Sequence, residues 1–176
     1  VGILADDWLD VHFYNWQVIS VMLILVGIAF IVVENKNAGK KPVIRRLRDI
    51  TLREALIIGL FQLIAAIFPG TSRSGATVLG GMLIGISRPV AMQFTFILAI
   101  PVMFGASLLK IVKYGIAFSG MELGILAIGM ITSFIVSVLV IRSIMQYIRP
   151  HGFKIFGWYR IVLGIVVILF FAVIRR

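Results

Sequence analysis

The sequence predicts an all-α integral membrane protein with about four transmembrane helices and one re-entrant helical hairpin. Hydrophobic residues make up 61% of the chain, and the mean hydropathy is +1.10. A soluble domain contains only about 45–50% apolar residues. Apolar segments alternate with short polar connections throughout, so the 176 residues are predicted to form a single membrane domain, 1–176.

Four apolar segments predict the transmembrane spans, which cover residues 16–34, 90–112, 121–143 and 155–174. The connection after the first span is basic, and a second basic connection follows the third span. Cytoplasmic loops of membrane proteins are rich in Lys and Arg, so both connections are predicted to be cytoplasmic. The acidic and aromatic stretch before the first span, residues 1–15, is then predicted to lie outside.

A pair of shorter apolar segments, residues 52–87, predicts the re-entrant hairpin. Thr51 and Glu54 form a capping-box pattern that starts the first arm, and Pro69-Gly70 interrupts the apolar run. Each arm has about 15 residues and is roughly 22 Å long, which is too short for a ~30 Å bilayer core. Non-helical backbone at that depth is tolerated only inside protein or beside water. Two ordinary spans with a short connection are the alternative.

The net charge of +10 would suggest nucleic-acid binding in a soluble protein. Here the basic residues cluster in the connections, which predicts contact with anionic lipid headgroups and no nucleic-acid partner. The chain contains no cysteine, so disulfides and thiolate metal sites are excluded. Because the first residue is Val1 and not Met, we expect a processed product or a fragment of a longer protein.

Arg73 is the residue that most strongly indicates a function, because it lies inside the predicted hairpin. A charged side chain at bilayer depth costs roughly 2.5–3.5 kcal/mol on insertion scales. The surrounding segment, residues 69–77, adds hydroxyl groups and glycines, and a guanidinium among hydroxyls suits phosphate oxygens. The alternative is that Arg73 pairs with a buried acid. All seven acidic residues are predicted at a terminus, in a loop or at a helix end.

The start of the second hairpin arm is predicted to form a buried phosphate or diphosphate site. The free N–H groups and the dipole of a helix start attract anions. Side chains one helical turn apart share a face, and small residues allow a ligand to approach the backbone closely. The predicted contacts are Thr71 or Ser72 as the N-cap, Thr77 on the face of Arg73, and Ser74 and Gly75 where the ligand approaches.

Four further residues or pairs carry simpler expectations. Gln62 is either a second hydrogen-bond donor to the site or a polar contact between helices. Gly81 and Gly85 form a GxxxG pattern, which predicts close helix packing. Arg88 is predicted to be an interfacial anchor, and Arg160 is predicted to extend its charge toward the membrane surface.

Residues 69–77, Pro-Gly-Thr-Ser-Arg-Ser-Gly-Ala-Thr, resemble the PGxSRSxxT signature of the undecaprenyl-diphosphate phosphatases, the bacitracin-resistance protein family. Residues 55–62, Gly80-Gly81-Met82 and Ser87-Arg88 also look like that family. The resemblance implies hydrolysis of undecaprenyl diphosphate to undecaprenyl phosphate and phosphate, which recycles the lipid carrier of cell-wall synthesis and gives bacitracin resistance. It also implies a multi-pass protein of the bacterial plasma (inner) membrane and an inverted-repeat fold, of which this chain is one half.

The same resemblance implies the partners and the site. The substrate is a long-chain prenyl diphosphate lipid, and the cofactor is a divalent cation (Mg²⁺ or Ca²⁺). The sequence does not give the oligomeric state, and a homodimer is left open. The family also has a glutamate-rich motif and a histidine-containing segment that this chain lacks, so we expect no metal ligand here and an inactive chain on its own. The implied catalytic residues are Arg73, Ser72, Ser74 and Thr77, and the implied substrate-binding residues are Gly70, Thr71, Gly75 and Gln62.

A membrane transporter or flippase for an anionic lipid or substrate is the alternative function. Broken helices in transporters bind anionic substrates near the bilayer midplane, and the predicted hairpin with Arg73 suits that use as well. The nine-residue signature favours the phosphatase, whereas the missing acidic motif weakens that prediction for this chain alone.

Overall fold

A computed structural model describes residues 13–115 and 119–174, and the fold within these ranges is helical with no β-strand. A single isolated parallel bridge pairs Ile44 with Ile86, and a short 3₁₀ turn covers Leu47–Asp49. The predicted lead-in lies almost wholly outside the described residues. The helices are α1 (Trp16–Asn37), α2 (Leu52–Ile67), α3 (Arg73–Leu83), α4 (Arg88–Tyr114), α5 (Gly120–His151) and α6 (Lys154–Ile174).

Four of these helices are long and apolar enough to cross a membrane, which confirms the all-α membrane class. The candidate spans are Trp16–Asn37, Arg88–Lys113, Gly120–Ile148 and Lys154–Ile174. The other two, α2 and α3, have 16 and 11 residues. They form a helical hairpin in the predicted position. Its re-entry into the bilayer and the inverted-repeat relationship stay predictions.

Helices α1 and α6 pack antiparallel at very close range, and glycines make this approach feasible. A Cβ atom added to Gly27 would lie 2.7 Å from the carbonyl oxygen of Gly157, and one added to Gly157 would lie 2.8 Å from the carbonyl oxygen of Gly27. Further along, Gly164 lies against the backbone of Ser20. Small residues of this kind let transmembrane helices bring their backbones together.

Helix α3 is the buried centre of the fold. All eight residues from 75 to 82 are buried, because α3 packs against α1, α2 and α4. On the α2 side, a Cβ added to Gly80 would lie 2.7 Å from the ring of Phe61. On the α4 side, a Cβ added to Gly81 would lie 3.1 Å from the Cβ of Ala91. Helix α3 is therefore held in place by three neighbouring helices.

The predicted capping box at the start of α2 is confirmed. Glu54 accepts hydrogen bonds from the backbone N–H of Thr51 at 2.9 Å and from its hydroxyl group. These hydrogen bonds hold the pKa of the Glu54 carboxyl below its usual value, and the bond from the Thr51 hydroxyl has the largest effect. The box ties the beginning of the hairpin to the basic connection that precedes it.

The second basic connection is shorter than predicted. Helix α5 continues to His151, so only Gly152 and Phe153 separate it from α6. Ile148 is fully buried and Phe153 is 4% exposed, and this packing holds the last turns of α5 in helical form. Gly152 has a φ of 71°, a conformation that glycine adopts readily and that ends a helix. The prediction of a loop from residue 144 onward was wrong for this reason.

The GxxxG prediction of close helix packing holds for Gly81, which lies against Ala91 of α4, but it was wrong for Gly85. Helix α3 ends at Leu83, and Gly85, with a φ of 87°, belongs to the turn that follows. Its carbonyl oxygen accepts hydrogen bonds from the N–H groups of Val43 at 2.9 Å and Ile44 at 3.2 Å. Gly85 therefore joins the basic connection to the end of the hairpin rather than packing two helices together.

A buried ion pair ties three parts of the fold together at this end of the molecule. The carboxylate of Glu34 is 2% exposed and pairs with the guanidinium of Arg88, and it also accepts a hydrogen bond from the N–H of Phe153 at 3.4 Å. Arg88 therefore has a partner that the interfacial-anchor prediction did not include. The pair connects the end of α1 with the start of α4 and with the turn between α5 and α6.

We expect Arg88→Gln to destabilise the protein, because it leaves Glu34 buried without a counter-charge. Removing one partner of a buried pair costs about 3–5 kcal/mol. Arg88 is 34% exposed, so a value near the lower end is expected. Thermal unfolding in detergent is the measurement. Arg48→Gln is the matched control, since its pair with Asp49 is 73% and 49% exposed and such pairs contribute about 0–1 kcal/mol. Equal effects of the two substitutions would contradict the assignment.

Candidate anion-binding site

The turn between α2 and α3 has an unusual backbone. Gly70 has a φ of 88°, and Ser72 is the one non-glycine residue with a positive φ in the described part of the chain, at 67°. Such a conformation costs of order 1–3 kcal/mol and tends to occur at functional sites. A Cβ added to Gly70 would lie 2.6 Å from the carbonyl oxygen of Ile19, so the turn packs directly on α1.

The first turn of α3 presents hydroxyl groups and a guanidinium together. The hydroxyl of Ser72 accepts a hydrogen bond from the N–H of Gly75 at 3.3 Å and lies 3.2 Å from the hydroxyl of Ser74. The N-cap of α3 is therefore Ser72, which was one of the two residues predicted for this position. Ser72, Arg73 and Ser74 are all exposed, and they lie at the positive end of the helix dipole.

A cavity of about 350 Å³ opens beside this helix start. Part of its lining is polar and comes from α2, α3 and α4, and the rest is an apolar wall on α4. Gln62 lines it opposite the start of α3, so this predicted residue does belong to the cleft. The polar lining residues are Gln62, Arg73, Ser74, Thr77 and Thr95, and the apolar wall consists of Phe96, Ala99, Val102 and Met103.

Thr77 lies at the bottom of the cleft and is 2% exposed. Its hydroxyl is 3.1 Å and 3.0 Å from the carbonyl oxygens of Arg73 and Ser74, and 2.9 Å from the hydroxyl of Thr95. Thr95 in turn donates to the carbonyl oxygen of Ala91 at 2.9 Å. The hydrogen bond between Thr77 and Thr95 joins α3 to α4. Thr95 was not predicted, since nothing in the sequence marks a threonine of α4 as a neighbour of α3.

Arg160 of α6 lies at the turn, and the prediction that it extends toward the membrane surface was wrong. Its Nη2 donates hydrogen bonds to the carbonyl oxygens of Gly70 and Thr71, the second at 2.8 Å. Its Nη1 lies 3.3 Å from the position of a Cβ added to Gly75. Thr71 is 2% exposed, and its hydroxyl and the Nε of Arg160 are buried with no hydrogen-bond partner. No sequence pattern indicates this contact, because 89 and 90 residues separate the partners.

The charges around the turn are suited to an anion. Within residues 13–115 and 119–174, neither Arg73 nor Arg160 has a carboxylate within ion-pair distance, so the alternative of a buried acid beside Arg73 has no support there. Two cations then lie at the positive end of a helix dipole, an arrangement that negative charge stabilises.

The cleft does not suit Mg²⁺ or Ca²⁺ by itself. Both ions are bound chiefly by carboxylate oxygens, and the side-chain oxygen atoms that line the cleft belong to hydroxyl and amide groups. Among the described residues there is also no cluster of three or more His, Cys, Asp or Glu side chains.

The fold and the site define a multi-pass, all-α membrane protein with a positively charged helix start inside a helical hairpin. Residues 1–166 match the family described as "Bacitracin resistance protein BacA". The chain belongs to this family, which places it in the bacterial plasma membrane.

Three curated relatives illustrate the similarity. The undecaprenyl-diphosphatase of Desulfitobacterium hafniense is 60% identical over 98% of this chain and 62% of its own length. Undecaprenyl-diphosphatase 1 of Clostridium acetobutylicum is 57% identical over 99% of this chain and 64% of its own length. The undecaprenyl-diphosphatase of Enterococcus faecalis is 53% identical over 98% of this chain and 62% of its own length. The chain therefore spans less than two thirds of the length of these relatives.

Proposed function

We propose that the intact protein containing this chain hydrolyses undecaprenyl diphosphate to undecaprenyl phosphate and phosphate, which recycles the lipid carrier of cell-wall synthesis and gives bacitracin resistance. The observation that carries the proposal is the position of Arg73 and Ser74, which line a cleft with an apolar wall at the start of α3 beside the N-cap Ser72. The printed names of the relatives support the same activity. The transporter alternative has no support from the family or from these names.

The chemistry of the proposed reaction matches the groups at the start of α3. Water adds to the terminal phosphorus of the diphosphate, and the bond from that phosphorus to the bridging oxygen breaks. Phosphate and the lipid monophosphate leave. Enzymes accelerate such transfers mainly by positioning the groups and stabilising their charge. The fork of Arg73 suits two phosphoryl oxygens, while the hydroxyls of Ser72 and Ser74 are donors in the same helical turn.

The proposal includes a divalent cation, Mg²⁺ or Ca²⁺. Because the described cleft supplies no carboxylate, we propose that its ligands lie outside this chain. The groups described here therefore serve substrate binding, and no step of the reaction is assigned to the metal.

Homodimerisation is also part of the proposal. The apolar window of α5 has 0% of its residues buried in this chain, and such a surface contacts lipid or another protein in a membrane. A sedimentation measurement in detergent is expected to give the mass of two copies. If the measured mass is that of one copy, the dimer proposal is contradicted and the proposed site is unaffected.

Release of inorganic phosphate from undecaprenyl diphosphate tests the proposed activity. We expect release by the intact protein with Mg²⁺ or Ca²⁺ present and loss of that release with EDTA, while the 176-residue chain alone is inactive. A folded intact protein that releases no phosphate would contradict the proposal. Phosphate release that is unchanged by EDTA would contradict only the proposal of a divalent cation.

Arg73→Ala in the intact protein is expected to lower phosphate release by about two to three orders of magnitude. Loss of one hydrogen-bond donor to the charge that develops in the transition state has an effect of this size in other enzymes. Arg73→Lys is also expected to be poor, because an ammonium group cannot make the bidentate contact. Steady-state kinetics on size-checked protein is the measurement. Arg53→Lys, at an exposed position of α2, is the control. Activity retained by Arg73→Ala would exclude a role for Arg73.

The apolar wall of the cleft is proposed to hold the first part of the prenyl chain. Ala99→Trp fills this wall, so we expect the KM for undecaprenyl diphosphate to rise about tenfold, the effect of losing roughly two buried methylene groups. The inhibition constant of inorganic pyrophosphate should stay within about twofold. Ile100→Trp is the control, because Ile100 is 68% exposed and does not line the cleft. Parallel changes for lipid and pyrophosphate would argue against a chain-binding wall.

A further inference from the structure

Arg160 makes an uncommon contact for a charged side chain on a transmembrane helix. It is the seventh residue of α6 (Lys154–Ile174), and one of its nitrogens donates to two successive carbonyl oxygens, those of Gly70 and Thr71. A buried carbonyl group without a donor is costly. The guanidinium therefore meets the hydrogen-bond requirement of a turn that no helix or sheet could satisfy.

This contact acts directly on the strained residue of the site. The carbonyl oxygen of Thr71 belongs to the rigid peptide plane that joins Thr71 to Ser72. The φ of Ser72, which is 67°, depends on the orientation of the peptide planes on either side of its Cα. The hydrogen bond from Arg160 fixes the first of these two planes. A strained conformation persists only when its surroundings over-determine it, and the hydrogen bonds from Arg160 are such a constraint.

The packing of α6 explains how Arg160 reaches the turn. Gly157, one helical turn earlier, lies against Gly27 of α1 with no room for a Cβ, so α6 runs unusually close to α1. The absence of a side chain at Gly75 then leaves space for Nη1 of Arg160 beside the first turn of α3. The Arg160 side chain therefore lies against both the turn and the first turn of α3.

We infer that Arg160 is a positioning residue of the anion site, which holds the turn so that Ser72 and the start of α3 face the diphosphate. The inference rests on the proposed function and deepens it. Arg160 acts through the turn, because its Nη2 donates to the two carbonyl groups that shape it. Arg73, whose side chain is exposed, makes the contact with the phosphate groups.

Kinetics of Arg160→Lys and Arg160→Gln in the intact protein test this inference. Lysine keeps the charge but lacks the planar fork. We expect kcat to fall roughly 10- to 100-fold in both variants, the factor associated with hydrogen bonds to charged groups, and KM to change less than about threefold. Arg142→Gln is the matched control, because Arg142 is exposed on α5. An unchanged kcat per folded molecule would overturn the inference. A rise in KM with constant kcat would also overturn it, since Arg160 would then bind the substrate itself.

A second measurement does not depend on activity. The chain has no cysteine, so a spin label on Ser74→Cys reports on the first turn of α3. Adding Arg160→Lys is expected to increase the mobility of this label, whereas a label on Ser143→Cys of α5 should not change. Unchanged mobility at position 74 would overturn the inference even in an inactive preparation. If the intact protein without these substitutions releases no phosphate, the proposed function fails, and the label still decides whether Arg160 holds the turn.

Discussion

The structure depends on how the polar backbone of an interrupted helix is satisfied inside a membrane protein. Non-helical backbone at membrane depth must find its hydrogen-bond partners within the protein or in water. Here the break between α2 and α3 leaves the carbonyl groups of Gly70 and Thr71 outside any helix, and Arg160 supplies their donors. The arginine, the turn and the start of α3 therefore form one unit, and disturbing any of them affects the others.

Glycines provide the space that this unit needs. Gly27 and Gly157 bring α6 against α1, Gly70 lies on the backbone of α1, and Gly80 lies on the ring of Phe61. Each contact would be lost to a clash with a single additional carbon atom. The association of transmembrane helices relies on such close packing, because lipid offers apolar contacts as good as those of the protein. The small residues therefore determine the position of the candidate site as much as its polar residues do.

The same constraint accounts for the electrostatics of the site. Two arginines lie at the positive end of α3, and no described carboxylate neutralises either of them. Elsewhere in the fold, Glu34 at the end of α1 and Arg88 at the start of α4 do neutralise each other. The start of α3 differs in carrying an excess of positive charge. An anion is the complement of that excess, and the mixed polar and apolar lining of the cleft beside it suits the proposed lipid diphosphate.

The sequence alone determined the features that neighbouring residues encode. Apolar runs predicted the four spans, Thr51 and Glu54 predicted the start of α2, and the segment 69–77 contains three of the five polar residues that line the cleft, because these residues are close along the chain. The tertiary structure decided the rest. Arg160 lies 90 residues from Gly70, Phe153 lies 119 from Glu34, and Thr95 lies 18 from Thr77. No periodicity or motif links such positions, since they meet only when α1, α3, α4 and α6 pack. The continuation of α5 to His151 has the same cause, because the burial of Ile148 and Phe153 arises from neighbours that are distant along the chain.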